Sequence, residues 1–137
     1  AVERAMEETH TAEFAERQVK ELSGGQMQRV WLALALAQTR ETLLLDEITT
    51  YLDVHYQYEI LNLIRSFNRH FGTTVLMVLH DINQTIAYAD HVVMMKRGRI
   101  LATGAAEDVI TEEMLCKTYD VNVKLETVCN KKICIFE

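Results

Sequence analysis

Apolar positions along this chain follow two different periods, and the changes of period mark out its elements. Val30, Trp31, Leu34 and Ala37 recur at helical spacing, with small alanines at 33 and 35. A helix is expected after Ser23, apolar almost all round and so largely buried, with Trp31 in the core. Residues 42–45 form a short apolar run bounded by charge and read as a buried strand. Ile60, Leu63, Ile64, Phe67 and Phe71 make the stripe of a helix over residues 54–71, capped by Asp53 and ended by Gly72. Residues 73–79 are β-branched and apolar, a second buried parallel strand, and Asp81 can cap a short helix over 82–89. Residues 91–95 and 99–103 flank Arg97-Gly98 as a hairpin. Two short helical stretches follow, 105–110 and 112–119, the second with a plain Thr111 cap. A terminal hairpin pairs 121–128 with 133–136 about Asn130-Lys131. Upstream, residues 2–16 are rich in Glu and Ala and read as a helix, and 17–22 as a connector. Helices alternating with strands indicate an α/β fold.

Two stretches carry chemistry. Ser23 followed three positions later by Gln26 has the form of a capping box, and Gly24 and Gly25 leave the first-turn amides bare of side chains. A helix start of that kind suits a phosphate, though it serves equally as a plain cap. Asp46 and Glu47 stand together at the C-terminal end of the first strand, where open α/β sheets place their ligands. Buried adjacent carboxylates need a shared cation or proton, and a Mg²⁺-phosphate site offers the cation. A strand simply ending in solvent is the alternative. Tyr51, Tyr56 and Tyr58 read as packing, and His55 and His70 as surface histidines. Arg29 is open between supporting the cap, reaching a partner and lying in solvent.

Leu22-Ser23-Gly24-Gly25-Gln26 resembles the signature sequence of ATP-binding cassette (ABC) ATPases. Residues 43–47 resemble their Walker B strand with its catalytic glutamate, and residues 49–53 their D-loop. His80, at the end of an apolar strand, resembles the switch histidine. Order and separation fit over about residues 18–114. Val30-Trp31-Leu32-Ala33, Tyr51 and the run from Leu79 to Gln84 are most similar to ATPases of iron-siderophore and related metal-chelate importers. The resemblance implies part of a RecA-like P-loop NTPase sheet with flanking helices, a signature helix and small C-terminal hairpins. It implies one C-terminal part of a nucleotide-binding domain: residues 1–40 ending the helical subdomain, 41–96 the Walker B to switch core, and 97–137 the hairpins and short helices. It implies ATP and Mg²⁺ as cofactors. Ser23, Gly24, Gly25 and Gln26 would face a nucleotide held mainly by a second subunit in a head-to-tail dimer, with Asp53 contacting that subunit. Asp46 would order the metal through water, Glu47 would polarise the attacking water, and His80 would hydrogen-bond the γ-phosphate. A transmembrane permease would be the other partner, placing the protein at the inner face of the cell membrane. A non-catalytic assembly module and a soluble ABC ATPase of translation or DNA repair are the alternative readings.

Composition narrows this picture. In 137 residues, 49% are hydrophobic and 25% charged, ordinary for a globular domain. The net charge of -6 includes no basic block, which argues against nucleic acid as a partner. No apolar run is long enough to cross a bilayer, so any membrane role comes through a partner. Three cysteines, Cys116, Cys129 and Cys134, read as free thiols, with a pairing of Cys129 and Cys134 across the hairpin disfavoured. The chain has no proline, and Gln18, Ile48 and Ala106 stand where the family commonly has one. It contains no G-x-x-x-x-G-K-[ST], the loop that cradles the β- and γ-phosphates. In the family fold that loop's strand lies between the strand ending at His80 and the one starting at His91. The sheet is then completed by another chain, by the two strands closing on each other, or by a swap with a second copy. The isolated chain is expected to be inactive.

Overall fold

Two parallel strands with three helices build the first part of the chain, and two hairpins with three short helices build the second. The computed structural model describes residues 1–38 and 41–137. They form two units, Ala1–Leu79 and His80–Glu137. The division expected after residue 40 falls beside residues 39–40, which lie outside the described residues.

In the first unit, α1 is only Val2–Glu8, far short of residue 16. Thr9 and Thr11 stop it. Both are fully buried, and their hydroxyls turn back on the helix: Thr9 Oγ1 donates to Ala5 O at 2.8 Å and Thr11 Oγ1 to Met6 O at 3.3 Å. His10 between them takes a left-handed φ of 53°. Such local side-chain bonds compete with helix continuation. The chain resumes as two single 3-10 turns, Ala12–Phe14 and Val19–Glu21.

The helix α2 runs Gly24–Gln38 and buries Gly25, Leu32, Ala33 and Leu36 against α1 and α3. Trp31 is 58% exposed and Leu34 48%, so the expected all-round burial does not hold. An apolar circumference permits burial, but here neighbours cover one face only.

Strand β1 (Thr42–Leu45) pairs in parallel with β2 (Thr74–Met77), Leu45 opposite Met77, and no further strand joins either among the described residues. Each is covered on one face: Leu43 is 2% exposed, whereas Leu44 is 73% and Leu76 61%. The expectation of two fully buried strands is corrected accordingly, and β2 stops two residues before Leu79.

The helix α3 spans Val54–Phe71, as the stripe predicts. Asp53 caps it, its carboxylate accepting from Tyr56 N at 3.4 Å. Gly72 closes it at φ 67°, its N–H donating to Asn68 O at 3.0 Å. The buried face is Ile60, Leu61, Ile64 and Phe67, rotated from the predicted stripe. Leu63 is half-buried, and Phe71 lies at the rim with the Arg4 guanidinium 5.7 Å from its ring centre. Leu32, Leu36, Leu43, Ile48, Ile60 and Phe67 form the core of this unit.

In the second unit, α4 (Ile82–Tyr88) is capped by Asp81, which accepts from Asn83 N at 2.7 Å and Gln84 N at 3.1 Å. Strands β3 (His91–Lys96) and β4 (Arg99–Ala105) pair antiparallel about Arg97 and Gly98, both with positive φ, as a tight primed turn requires. Helices α5 (Ala106–Val109) and α6 (Glu112–Tyr119) follow, with Met114 N donating to Thr111 Oγ1 at 3.2 Å in the plain cap expected. The last hairpin, β5 (Val123–Val128) with β6 (Lys131–Phe136), turns at Cys129–Asn130, one residue earlier than the sequence suggests. Both turn residues are left-handed. Cys134 therefore sits opposite Leu125, away from Cys129, and all three cysteines are free.

A two-point clamp ties α4 to β6. Cys134 N donates to Asn83 Oδ1 at 2.7 Å, and Asn83 Nδ2 donates to Cys134 O at 3.2 Å. Ile82, Val92, Met94, Val109, Ile110, Leu115 and Val123 fill the core of this unit. Among the described residues the strands pair as three two-stranded sheets.

Two substitutions test these local devices. Nothing lies within 4 Å of a Cβ added at Gly72, so Gly72→Ala meets only the left-handed backbone. Urea unfolding should show a loss of about 1–2 kcal/mol, with a smaller loss for Gly72→Asn. Asn83→Ala leaves both backbone groups of Cys134 without their partners. It should lower stability by about 1–3 kcal/mol in the same measurement.

Candidate functional site

The turn into α2 uses some backbone donors and leaves others open. Ser23 N donates to Gln26 Oε1 at 3.0 Å, and Gln26 N donates to Ser23 Oγ at 3.3 Å, a reciprocal capping box. Met27 N donates to Ser23 O at 2.9 Å and starts the helix. The N–H groups of Gly24 and Gly25 have no partner among the described residues. Two adjacent donors at the positive end of a 15-residue helix suit an anionic oxygen. Gly24 is exposed and Gly25 buried.

The start of α2 presses on the start of α3. A Cβ at Gly25 would fall 2.9 Å from Tyr56 Cδ1 and 3.0 Å from its Cγ, and one at Gly24 3.8 Å from Leu52 Cδ2. Gln57 Nε2 donates to Leu52 O at 3.0 Å, holding the chain just before Asp53. One turn further along both helices, Arg29 pairs with Glu59 at 3.2 Å, which settles a role that the sequence leaves open. Ser23–Gln26 and the Leu52–Asp53 segment are therefore neighbours. Of the three tyrosines read as packing, Tyr56 packs, whereas Tyr51 is fully exposed and Tyr58 42% exposed. The sequence does contain a signal for Tyr56. Gly25 has helical geometry and needs no positive φ, so its lack of a side chain points to a close neighbour.

Asp46 and Glu47 follow β1, and both are exposed. The expectation that burial forces a cation on this pair is corrected: β1 is open on one face and at its end, so water solvates both carboxylates. Glu47 has a left-handed φ of 50°, in a turn closed by Thr50 N donating to Glu47 O at 3.0 Å. Thr50 Oγ1 also reaches Glu47 Oε2 at 3.5 Å. Ile48, 6% exposed, anchors this turn in the core. Among the described residues no three His, Cys, Asp or Glu side chains group as a metal cage. Mg²⁺ commonly takes one or two carboxylates together with substrate phosphates. An exposed, oxygen-only donor pair fits that mode and not a stand-alone metal centre.

Beyond β1 and β2 the parallel pairing continues by one bond, Val78 N to Leu45 O at 3.0 Å. The C-terminal ends of the two strands thus lie side by side, and Asp46 and Glu47 leave from one of them. His80 opens the second unit, exposed, directly before the α4 cap. Lys96 bonds Asp120 and Lys117 O, and the bond to Lys96 holds the Asp120 carboxyl below its usual range. Burial, more than the nearby Asp81, pushes the Cys134 thiol up.

No helix among the described residues is long and apolar enough to cross a membrane. The family model for ABC transporters matches residues 1–50. The iron(3+)-hydroxamate import ATP-binding protein FhuC of Bacillus subtilis (strain 168) is 44% identical over 133 residues, covering 96% of this chain and 49% of its own length. The ferric enterobactin transport ATP-binding protein FepC of Escherichia coli (strain K12) is 43% identical over 119 residues, 87% of this chain and 44% of its own. Among solved structures, a metal-chelate type ABC transporter in an inward-facing conformation matches with a TM-score of 0.89 at 25% identity, over 99% of this chain and 55% of that one. The cbiO1 protein of Clostridium perfringens, part of the ABC transporter complex cbiONQ, matches with a TM-score of 0.71 at 29% identity, over 85% and 46%. The chain spans about half the length of the curated relatives it matches. Its elements are part of a P-loop NTPase fold, and the chain belongs to the family of ABC transporter ATP-binding domains, of which it makes up one part.

Proposed function

We propose that these residues supply the signature, Walker B, D-loop and switch elements of an ATP-hydrolysing subunit that drives uptake of an iron-siderophore or similar metal chelate. The observation that carries this reading is the pair of amides at Gly24 and Gly25, left open by the Ser23–Gln26 box at a helix start packed against the Asp53 segment. The relatives' roles in iron(3+)-hydroxamate import and ferric enterobactin transport support the substrate class.

Each residue then has a part in phosphoryl transfer, where positioning and electrostatics do most of the work. The Ser23 hydroxyl and the Gly24 and Gly25 amides bind the terminal phosphate of ATP held mainly by a second subunit, in a head-to-tail dimer. Gln26 keeps that turn closed. Asp53 caps α3 and faces the other subunit. Asp46 would hold Mg²⁺, which would supply positive charge to the phosphates. Glu47 accepts a proton from the attacking water at its carboxylate. His80 donates a hydrogen bond to a phosphate oxygen. The partner that crosses the membrane is a permease, which places the subunit at the inner membrane face. The β- and γ-phosphate cradle has no counterpart in these 137 residues.

In the complete subunit, Glu47→Gln should lower the ATP turnover rate by about 10²-fold or more while leaving the Kd for ATP unchanged, since a general base typically contributes that much. Undiminished turnover would remove Glu47 from the role. Titration calorimetry of this chain alone with Mg-ATP should show no micromolar binding, and a micromolar isotherm would contradict the two-subunit reading of the site.

A further inference from the structure

Gly25 lies within a helix, in a conformation any residue adopts, yet it is buried and has no room for a methyl group. The obstacle is Tyr56. The atoms that a Cβ would meet, Cδ1 at 2.9 Å and Cγ at 3.0 Å, are at the root of the ring and not at its free end. That root cannot swing aside easily. The Tyr56 backbone N–H is held by the Asp53 carboxylate, and the His55 ring stands edge-on to the Tyr56 ring with centres 5.2 Å apart. The phenol oxygen has no hydrogen bond among the described residues, and the atoms nearest the added Cβ are ring carbons, not the hydroxyl.

We propose that Tyr56 is a positioning residue for the phosphate-facing turn: its ring, seated against Gly25, fixes where the Gly24 and Gly25 amides stand relative to Asp53. This rests on the function proposed above for that turn. Three approaches run down the two helix starts: a Cβ at Gly24 would meet Leu52, one at Gly25 would meet Tyr56, and Arg29 pairs with Glu59. Of the two glycines, Gly25 leaves the less room for a side chain, and Tyr56 is what takes that room. A movement of the Asp53 segment is thereby passed to the amides through a rigid ring. The glycine at 25 is then required first for space beside Tyr56, and only through that for the placement of its N–H.

The test is a double-substitution cycle in the complete subunit, read by urea unfolding midpoint and by steady-state ATP hydrolysis. Misplacing a binding group by about an ångström can cost up to about a hundredfold in rate. Gly25→Ala should therefore lower the midpoint and cut kcat on the order of tenfold, with the KM for ATP changing by less than about twofold. Residues in direct contact couple non-additively. Adding Tyr56→Ala to Gly25→Ala should therefore raise both the midpoint and kcat above those of Gly25→Ala alone, kcat by about threefold or more. Tyr56→Phe should keep wild-type midpoint and kcat. Additive losses in the cycle, recovery of the midpoint without recovery of kcat, or a Tyr56→Phe loss equal to that of Tyr56→Ala would each overturn the proposal. A complete subunit that hydrolyses no ATP would instead overturn the proposed function, and the unfolding midpoints would still decide whether Gly25 and Tyr56 are coupled.

Discussion

The close approach of two helix starts, α2 at Gly25 and α3 at Tyr56, is the constraint on which the candidate site depends. Without a side chain at 25 the helices can meet at their first turns instead of further along. That meeting brings the Ser23–Gln26 turn next to the Leu52–Asp53 segment, although 26 positions separate Gln26 from Leu52 in the sequence. Arg29 and Glu59 lie one turn deeper, where an ion pair with a mostly buried arginine resists sliding better than it adds stability. The open amides are thus held by packing on one side and by the capping box on the other. A turn proposed to bind a ligand needs such support from outside itself.

The other face of the first unit has a different character. Parallel strands normally carry helices on both faces, yet Leu44 and Leu76 project from the bare face of β1 and β2 at 73% and 61% exposure. Trp31 and Leu34 are exposed on α2. Side chains of this size left in water forgo burial free energy of roughly 1.5–3 kcal/mol each. The matched relatives are about twice as long as this chain. A sheet of two strands with one helical layer lacks the second layer that an α/β core uses.

What could be read from the sequence was whatever is decided locally. Asp53, Asp81 and Thr111 cap the helices they precede because a short polar side chain reaches the amides two or three residues on. Gly72 ends α3, and Arg97-Gly98 turns a hairpin, because their backbones must adopt positive φ. What could not be read was decided by neighbours distant in sequence. The Glu- and Ala-rich start reads as one long helix, but Thr9 and Thr11 find carbonyls to bond and break it. Trp31 reads as core because hydrophobicity reports the need for cover and not its supply. The final turn shifts to Cys129–Asn130 because the chain tolerates left-handed geometry at a cysteine there. Within the site, the box at Ser23 and Gln26 was legible in full. The exposure of Asp46 and Glu47 was not, since it depends on the layer that β1 lacks.

The residue after Glu47 shows how one departure from a family pattern reshapes a site locally. The resemblance places a proline at position 48, and this chain has isoleucine. A proline would bias the preceding residue toward extended backbone through the clash with its ring. Glu47 is instead left-handed at φ 50°, a conformation costing about 1–2 kcal/mol for a residue with a side chain. Ile48 removes the steric bias and supplies a compensating anchor, since it is buried to 6% exposure in the same core as Leu43 and Ile60. The bond from Thr50 N to Glu47 O then closes the turn. The backbone of the acidic residue is therefore set by a buried hydrophobe beneath it and a hydrogen bond ahead of it. The carboxylate remains in solvent at the end of a parallel strand, on a backbone tied to the core through Ile48.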